Sequence, residues 1–121
     1  MENIMEKYVE LSSNDRATHL WIRVYYHLGG CNVFTYRNEQ RGYYLSVTPV
    51  TRETRSGCNM ISMTAFSGVK QCVKAVTRKS AKAAAQAAEN AQNYIHDLVI
   101  FVCNQNGLPV PAQFIYQGET K

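Results

Sequence analysis

The stretch TRKSAKAAAQAAENAQNYIHDLVIFVCN, residues 77–104, decides the fold. Apolar residues recur in it at steps of three or four: Ala81, Ala84, Ala88, Ala91, Ile95, Leu98 and Val102. Because a helix places such residues on one stripe, the pattern predicts a single long helix over residues 77–104. Six of the eight residues from 81 to 88 are Ala, the strongest helix former. A flat alanine surface lets the helix lie close against a sheet, whereas the bulkier second half fills a wider gap.

The predicted helix opens with cations instead of acids. Arg78, Lys79 and Lys82 fall in its first turn, where the positive end of the helix dipole favours acidic side chains. The same cations beside free backbone N–H groups suit an anion such as phosphate. Lys70 and Lys74 directly precede them, so the five residues could form one basic stripe from strand to helix. The candidate nucleic-acid-binding residues are therefore Lys70, Lys74, Arg78, Lys79 and Lys82, joined by Arg52 and Arg55. The alternative is a scattered, solvated set of charges.

Before the helix, the sequence alternates with the period of two that is typical of β-strands. Leu20, Ile22, Val24, Tyr26 and Leu28 fall on one face of a predicted strand over residues 18–28, and His19, Trp21, Arg23, Tyr25 and His27 fall on the other. Further strands are predicted over residues 31–37, 43–50, 58–66 and 69–76. Turns are predicted at Gly29-Gly30, residues 38–42 and Ser67-Gly68, and a polar loop at residues 51–57.

These elements predict one domain over residues 1–121, of the α+β class. An antiparallel meander of four to five strands, residues 18–76, is followed by one long C-terminal helix packed on one face. Residues 1–15 could form a short amphipathic helix or an extended arm. Asn106-Gly107 is a helix stop signal, and residues 105–121 are predicted as a tail that packs Phe114, Ile115 or Tyr116 on the domain. The strand order stays open.

The charge is segregated along the chain. The net charge is +4, yet eleven Lys and Arg residues and only two Glu residues lie between residues 16 and 82. The two ends together hold seven acidic and two basic residues. A basic middle between acidic ends favours a polyanionic partner such as RNA or DNA. The alternative is a charged surface that only prevents aggregation.

The polar face of the first predicted strand is a second candidate site. Trp21, Arg23 and Tyr25 alternate aromatic and basic character, and rings on an open sheet can stack bases while cations hold phosphates. The alternative is that this face packs on the N-terminal segment or on another subunit. Trp21, Tyr25, Tyr36 and Tyr44 look like an excess of exposed aromatic residues, which favours a protein–protein interaction or assembly domain, including a homo-oligomer.

Catalysis, cofactors and metals find little support in the sequence. No phosphate-binding loop, dinucleotide fingerprint or nucleophile elbow is present, so a non-enzymatic binding domain without a cofactor is predicted. Cys31, Cys58, Cys72 and Cys103 are widely spaced, and we expect four free thiols and no metal. The longest apolar run has six residues and the acidic N-terminus lacks an apolar signal region, so a cytoplasmic protein without a membrane partner is expected.

Two resemblances add to this interpretation. Residues 66–90, a hairpin followed by RKSAKAAAQAA opening a helix, resemble the C-terminal half of a double-stranded RNA-binding domain. That likeness implies that Arg78, Lys79 and Lys82 clamp phosphates across a major groove; the family's first helix and minor-groove loop are not recognisable. The stretches HLGGCNVFTYRNEQRGYYLSVTPV and TAFSGVKQCVKAVTRKS resemble uncharacterised small proteins of gut Bacteroidetes, some carried on mobile elements. This second likeness implies a bacterial cytoplasm and no particular function.

Overall fold

The strands and helices are described in a computed structural model for residues 3–11, 16–32, 37–55 and 57–114. In chain order these are β1 (Asn3–Glu10), β2 (His19–His27), β3 (Gly30–Asn32), β4 (Arg37–Glu39), β5 (Gly42–Arg55), β6 (Cys58–Met63), β7 (Val69–Ala75), α1 (Ala81–Gln92), α2 (Ile95–Asn106) and a 3-10 turn, Ala112–Phe114. The five strands β1, β2, β5, β6 and β7 form one antiparallel sheet in which β1 pairs β2 and β2 pairs β5. The other edge of β5 is shared by β6 and β7. The predicted α+β meander is confirmed.

The core lies between one face of this sheet and the two helices. Leu20, Ile22 and Val24 of β2 are fully buried there, as the period of two predicts, and Tyr26 is buried with them. Leu28 was expected on the same face, but it is 71% exposed because β2 ends at His27. The helices therefore cover the Leu20 face and leave the opposite face of the sheet to other contacts.

The single predicted helix is two helices. The backbone N–H groups of Asn93 and Tyr94 donate to the carbonyls three residues earlier, of Asn90 and Ala91. This turn is tighter than an α-helical turn, and it divides α1 from α2. The buried stripe also differs from the predicted one: it consists of Ala83, Ala87, Ala91, Ile95, Val99, Val102 and Cys103. Ala81 is exposed, and Ala84, Ala88 and Leu98 are half-buried. The stop signal is confirmed, since α2 ends at Asn106 and Gly107 adopts a left-handed φ of 69°.

The start of α1 lies four residues later than predicted. Ser80 is the N-cap, and its hydroxyl accepts a hydrogen bond from the Ala83 N–H at 3.1 Å. Arg78 and Lys79 therefore precede the helix, and Lys82 alone of the three predicted cations lies in the first turn. A serine cap satisfies one of the N–H groups that the first turn leaves without a helical partner.

The predicted polar loop at residues 51–57 is wrong for its first five residues. Residues 51–55 continue β5, and Gly57, with a φ of 81°, lies in a turn directly before β6. Because β2 pairs β5 only as far as Val50, the end of β5 and β6 form a two-stranded hairpin that extends past β2. We call residues 51–63 the outer hairpin.

The outer hairpin and β7 meet at an interruption opposite Pro49. Val50 pairs Met63 and Val47 pairs Val69, so residues 64–68 bulge opposite two residues of β5. Pro49 has no N–H to donate, and its carbonyl accepts instead from the Thr64 hydroxyl at 3.0 Å. Thus Ser67-Gly68 does not form the predicted hairpin between two paired strands; β6 and β7 follow one another along the same edge of β5.

The remaining segments also refine the prediction. Of the alternatives for residues 1–15, the described part is extended, because residues 3–10 are strand β1. The predicted strand at residues 31–37 and turn at residues 38–42 are replaced by β3 and β4, a small hairpin outside the main sheet. In the predicted tail, Phe114 is buried, while Ile115 and Tyr116 lie outside the described residues.

Candidate nucleic-acid interface

The face of the sheet opposite α1 and α2 brings together residues from both predicted sites. We call it the open face. It carries Trp21, Arg23 and Tyr25 of β2, Tyr8 and Glu6 of β1, Tyr44, Ser46, Thr48 and Arg52 of β5, and Lys70 of β7. Arg52 and Lys70 were predicted within a basic stripe, whereas Trp21, Arg23 and Tyr25 were predicted as a separate aromatic face. The register of the strands makes them neighbours.

Cations and rings alternate across the open face. The Arg52 guanidinium carbon lies 4.2 Å from the centroid of the Tyr8 ring, and the Tyr8 ring stacks on Trp21 with centroids 6.2 Å apart. The Arg23 guanidinium carbon lies 4.2 Å from the Trp21 centroid and 4.9 Å from the Tyr25 centroid. Such contacts are electrostatic attractions between a cation and the negative face of a ring.

The series continues onto the next strands. Tyr25 stacks on Tyr44 with centroids 6.2 Å apart, and the Lys70 ammonium lies 5.6 Å from the Tyr44 centroid. Of the four aromatic residues expected to be exposed, Tyr25 and Tyr44 are only 6% and 8% exposed and Trp21 is half-buried, while Tyr36 lies outside the described residues. The Tyr25 and Tyr44 rings contact each other, and Arg23 and Lys70 lie over them. The open face therefore offers a ligand cations that are positioned by rings, and it offers few free ring faces for base stacking.

The edge of the open face at β1 is acidic. The Glu6 carboxylate accepts hydrogen bonds from the Trp21 indole N–H at 2.7 Å and from the Asn3 side-chain amide at 3.2 Å. Glu10 lies opposite His19 on the same face. The cations Arg23, Arg52 and Lys70 lie on β2, β5 and β7. The cations of the open face therefore lie on its β2–β5–β7 side, and its carboxylates lie at the β1 edge.

Two titratable groups on this face have altered acidity. Burial, followed by the nearby Arg52 charge, lowers the pKa of His19, although Glu10 acts in the opposite direction. Burial, followed by the charge of Glu6, raises the pKa of Tyr8. Both shifts favour the uncharged side chain at neutral pH, so neither His19 nor Tyr8 adds to the charges of Arg23, Arg52, Lys70, Glu6 and Glu10 on this face.

The other predicted cations lie elsewhere. The Lys79 ammonium is 5.9 Å from the centroid of Tyr26, a residue of the helix-covered face, so Lys79 and Lys70 contact opposite faces of the sheet. Lys82 and Arg78 are exposed, and Lys74 is half-buried opposite Tyr43. Arg55 lies in the outer hairpin, and its side chain is outside the description. The predicted strand-to-helix stripe is thus divided into two groups of cations.

A cavity of about 750 Å³ lies beside the second group, at the start of α1. Arg41 and Arg78 line it together with Ser80 and Ala83. The Arg41 guanidinium donates to the Leu28 carbonyl at 2.9 Å and to the Thr77 carbonyl at 3.1 Å. Arg41 therefore ties two connecting segments together. Glu6, Tyr8 and Ser46 were not predicted as site residues, since only strand pairing places them beside Arg23.

Comparisons with protein families, curated proteins and solved structures found no match to the chain. The site is therefore interpreted from its own geometry. Within the described ranges, no three His, Cys, Asp or Glu side chains are grouped so that they could hold a metal ion. Cys58, Cys72 and Cys103 are free thiols, and burial raises the pKa of Cys103. None of the described helices is both long and apolar enough to cross a membrane.

Proposed function

We propose that this protein binds single-stranded nucleic acid on the open face of its sheet. The observation that carries the proposal is the placement of Arg52, Arg23 and Lys70 on one face, each over an aromatic ring. Cations along a shallow surface follow a flexible phosphate backbone, and aromatic neighbours give the bases apolar contact area. The helices lie on the other side of the sheet and do not compete for this surface.

The charge distribution supports a single strand rather than a duplex as the ligand. The three cations lie on three strands of one sheet face, and Glu6 and Glu10 at the β1 edge restrict the attractive area to its β2–β5–β7 side. A rigid duplex would need several phosphates to match fixed positions, whereas a single strand can bend around the acidic edge. The proposal places the protein in a cytoplasm, where the thiols of Cys58, Cys72 and Cys103 stay reduced.

Fluorescence anisotropy with single-stranded DNA, single-stranded RNA and duplexes of equal length tests this function. We expect single strands to bind with a dissociation constant below about 100 µM at low salt, because non-specific binding reaches that range. The logarithm of affinity should fall linearly with the logarithm of salt concentration, by about 0.7 for each phosphate that a single strand contributes. Affinity that does not depend on salt, or no binding at all, overturns the proposal.

A matched pair of double variants locates the binding surface. Arg52→Gln with Lys70→Gln removes two cations of the open face, and Lys79→Gln with Lys82→Gln removes two cations near the start of α1. Each pair lowers the net charge by two, so the bulk field changes equally. We expect the first pair to weaken single-strand binding and the second to leave it nearly unchanged. The reverse result, with duplex RNA preferred, would assign the function to the helix start.

Protein–protein assembly is the second candidate, and the outer hairpin favours it. Met60, Ile61 and Met63 on β6 are 51%, 40% and 66% exposed, and exposed apolar residues on an edge strand promote pairing with another strand. The partner proposed here is a second copy of the chain, joined along β6. Light scattering at increasing concentration should then show a dimer that Ile61→Lys dissociates. A monomer at all concentrations rejects this candidate.

A further inference from the structure

Arg23, Ser46 and Lys70 form one row across three adjacent strands of the open face. Arg23 of β2 pairs Ser46 of β5, and Ser46 pairs Lys70 of β7. Neighbouring strands lie about 4.8 Å apart, so the backbones that carry the two cations are roughly 10 Å apart, with a small serine between them. Larger side chains flank this row, because Tyr25 pairs Tyr44 on one side and Trp21 pairs Thr48 on the other. The row therefore forms a notch, which we call the Ser46 notch.

The Ser46 notch is a depression of about 370 Å³ with a polar floor. Arg23, Tyr25, Ser46, Thr48, Met63 and Lys70 are among the residues that line it. Ser46 is only 6% exposed, and its hydroxyl lies 3.3 Å from the Thr48 hydroxyl. No carboxylate lines the described part of the notch. The notch thus combines the Ser46 and Thr48 hydroxyls with the charges of Arg23 and Lys70, and no carboxylate among its described lining residues neutralises these charges.

One nitrogen of Arg23 lacks a hydrogen-bond partner. The Nε atom of Arg23 is buried and makes no hydrogen bond within the described structure, and the guanidinium lies over the Trp21 and Tyr25 rings. A buried donor without an acceptor costs free energy, and an anionic oxygen at the guanidinium would offset this cost with a charge-assisted bond. The Nε of Arg41, in contrast, donates to a backbone carbonyl. Arg23 therefore lines the notch with a guanidinium that the described fold leaves partly unsatisfied.

We propose that the Ser46 notch binds one phosphate group, shared by Arg23 and Lys70. This inference rests on the proposed function, in which that group belongs to the backbone of the bound strand. The phosphate oxygens accept from the Arg23 guanidinium and the Lys70 ammonium above, and from the Ser46 and Thr48 hydroxyls below. A guanidinium suits this role because its planar fork matches two phosphate oxygens.

The salt dependence of binding tests whether the two cations share a phosphate. If they do, Arg23→Gln or Lys70→Gln alone leaves one cation on that phosphate, and the slope of log affinity against log salt changes little. The double variant then loses the contact, and the slope decreases by about 0.7. If the cations hold separate phosphates, each single variant lowers the slope by about 0.7 and the double variant by twice that, which overturns the inference.

Two further variants complete this experiment. Arg52 lies over Tyr8 and does not line the notch, so Arg52→Gln should lower the slope by a full contact in any background. Ser46→Asp keeps both cations but puts a carboxylate in the floor, where it pairs with them in place of a phosphate. We expect it to abolish the contribution of the notch to the affinity and to the slope. Unaltered affinity and slope in Ser46→Asp would contradict a phosphate at this position.

A titration with inorganic phosphate separates the notch from the proposed function. Phosphate replaces chloride at constant ionic strength while the amide resonances of the whole chain are followed by NMR. We expect shifts confined to Ser46, Thr48 and their neighbours in the wild type, and none in Ser46→Asp. The absence of such shifts overturns the notch even if oligonucleotides bind. Shifts without oligonucleotide binding retain the notch as a site for a free phosphate compound and reject the nucleic-acid function.

Discussion

The guanidinium carbon of Arg52 lies 4.2 Å from the centroid of the Tyr8 ring. This contact joins the outer hairpin to β1, although β2 lies between their strands in the sheet. Arg52 is also anchored through its backbone, because its N–H donates to the Thr18 hydroxyl at 2.8 Å. Arg52 therefore links the start of the outer hairpin to β1 through its side chain and to the residue before β2 through its backbone.

The first prediction concerns this contact. Arg52→Gln should lower the free energy of unfolding by about 0.5–1 kcal/mol, the usual range for a cation–ring contact at an accessible site. Urea denaturation followed by Trp21 fluorescence measures the change. Arg78→Gln, at an exposed position before α1, is the control and should stay within about 0.5 kcal/mol of the wild type. Equal effects of the two substitutions would show that the Arg52 contact does not stabilise the fold.

The second prediction concerns pH and His19. Burial holds the folded pKa of His19 below its ordinary value of 6.5. The Thr18 hydroxyl, which accepts from the Arg52 N–H, can donate its proton to the neutral His19 Nδ1 at 2.8 Å. Because the unfolded chain takes up the proton more readily, the stability that His19 contributes is complete above pH 6.5 and is lost as the pH falls through the folded pKa.

An NMR titration of the imidazole measures this directly. The pKa of His19 should lie below 6.5 in the wild type and rise part of the way back in Arg52→Gln, since burial remains. His19→Gln should remove the corresponding loss of stability in mild acid. A wild-type His19 that titrates at or above its ordinary value would contradict the prediction.

The third prediction separates two lysines near the start of α1. Lys82→Glu should stabilise the protein by about 0.3–1 kcal/mol, because it puts the first acid into the first turn of α1. Lys79→Glu should not, since Lys79 precedes the cap and its ammonium contacts the Tyr26 ring. Thermal midpoints of the two variants measure the difference. Equal stabilisation of both would mean that the Tyr26 contact contributes nothing.

Sequence patterns predicted the parts of the fold in which burial alternates strictly. Leu20, Ile22 and Val24 alternate with polar residues because one face of β2 meets the helices, so the period of two was visible. The end of β5 gave no such signal, because none of the described side chains of the outer hairpin is buried and its TRETR sequence reads as a loop. The break at Asn93 and Tyr94 also lacked a signal, since neither Gly nor Pro marks it.

The residues of the candidate site were predicted as two separate sites, and only the pairing register of the strands shows that they are neighbours. Arg52 and Lys70 are 18 residues apart in the sequence and far from Trp21, and nothing local indicates that they share a face. Adding one residue between Pro49 and Arg52 would have moved Arg52 to the other face. The start of α1 was misplaced because Ala81 and the residues before it are compatible with a helix, whereas the Ser80 cap depends on a single hydroxyl.

The interruption at Pro49 also divides the sheet into two cooperative units. β7 pairs the half of β5 that β2 and the helices support, whereas β6 pairs only the outer end of β5 and has no second strand partner in the described part of the sheet. A strand paired on one side only, in a two-stranded ribbon, is marginally stable. Residues 58–63 can therefore open without breaking the ladder of β7 or exposing the core. We therefore expect their amide hydrogens to exchange with solvent through this partial opening, before those of β2 and the inner half of β5, whose exchange requires the whole domain to unfold.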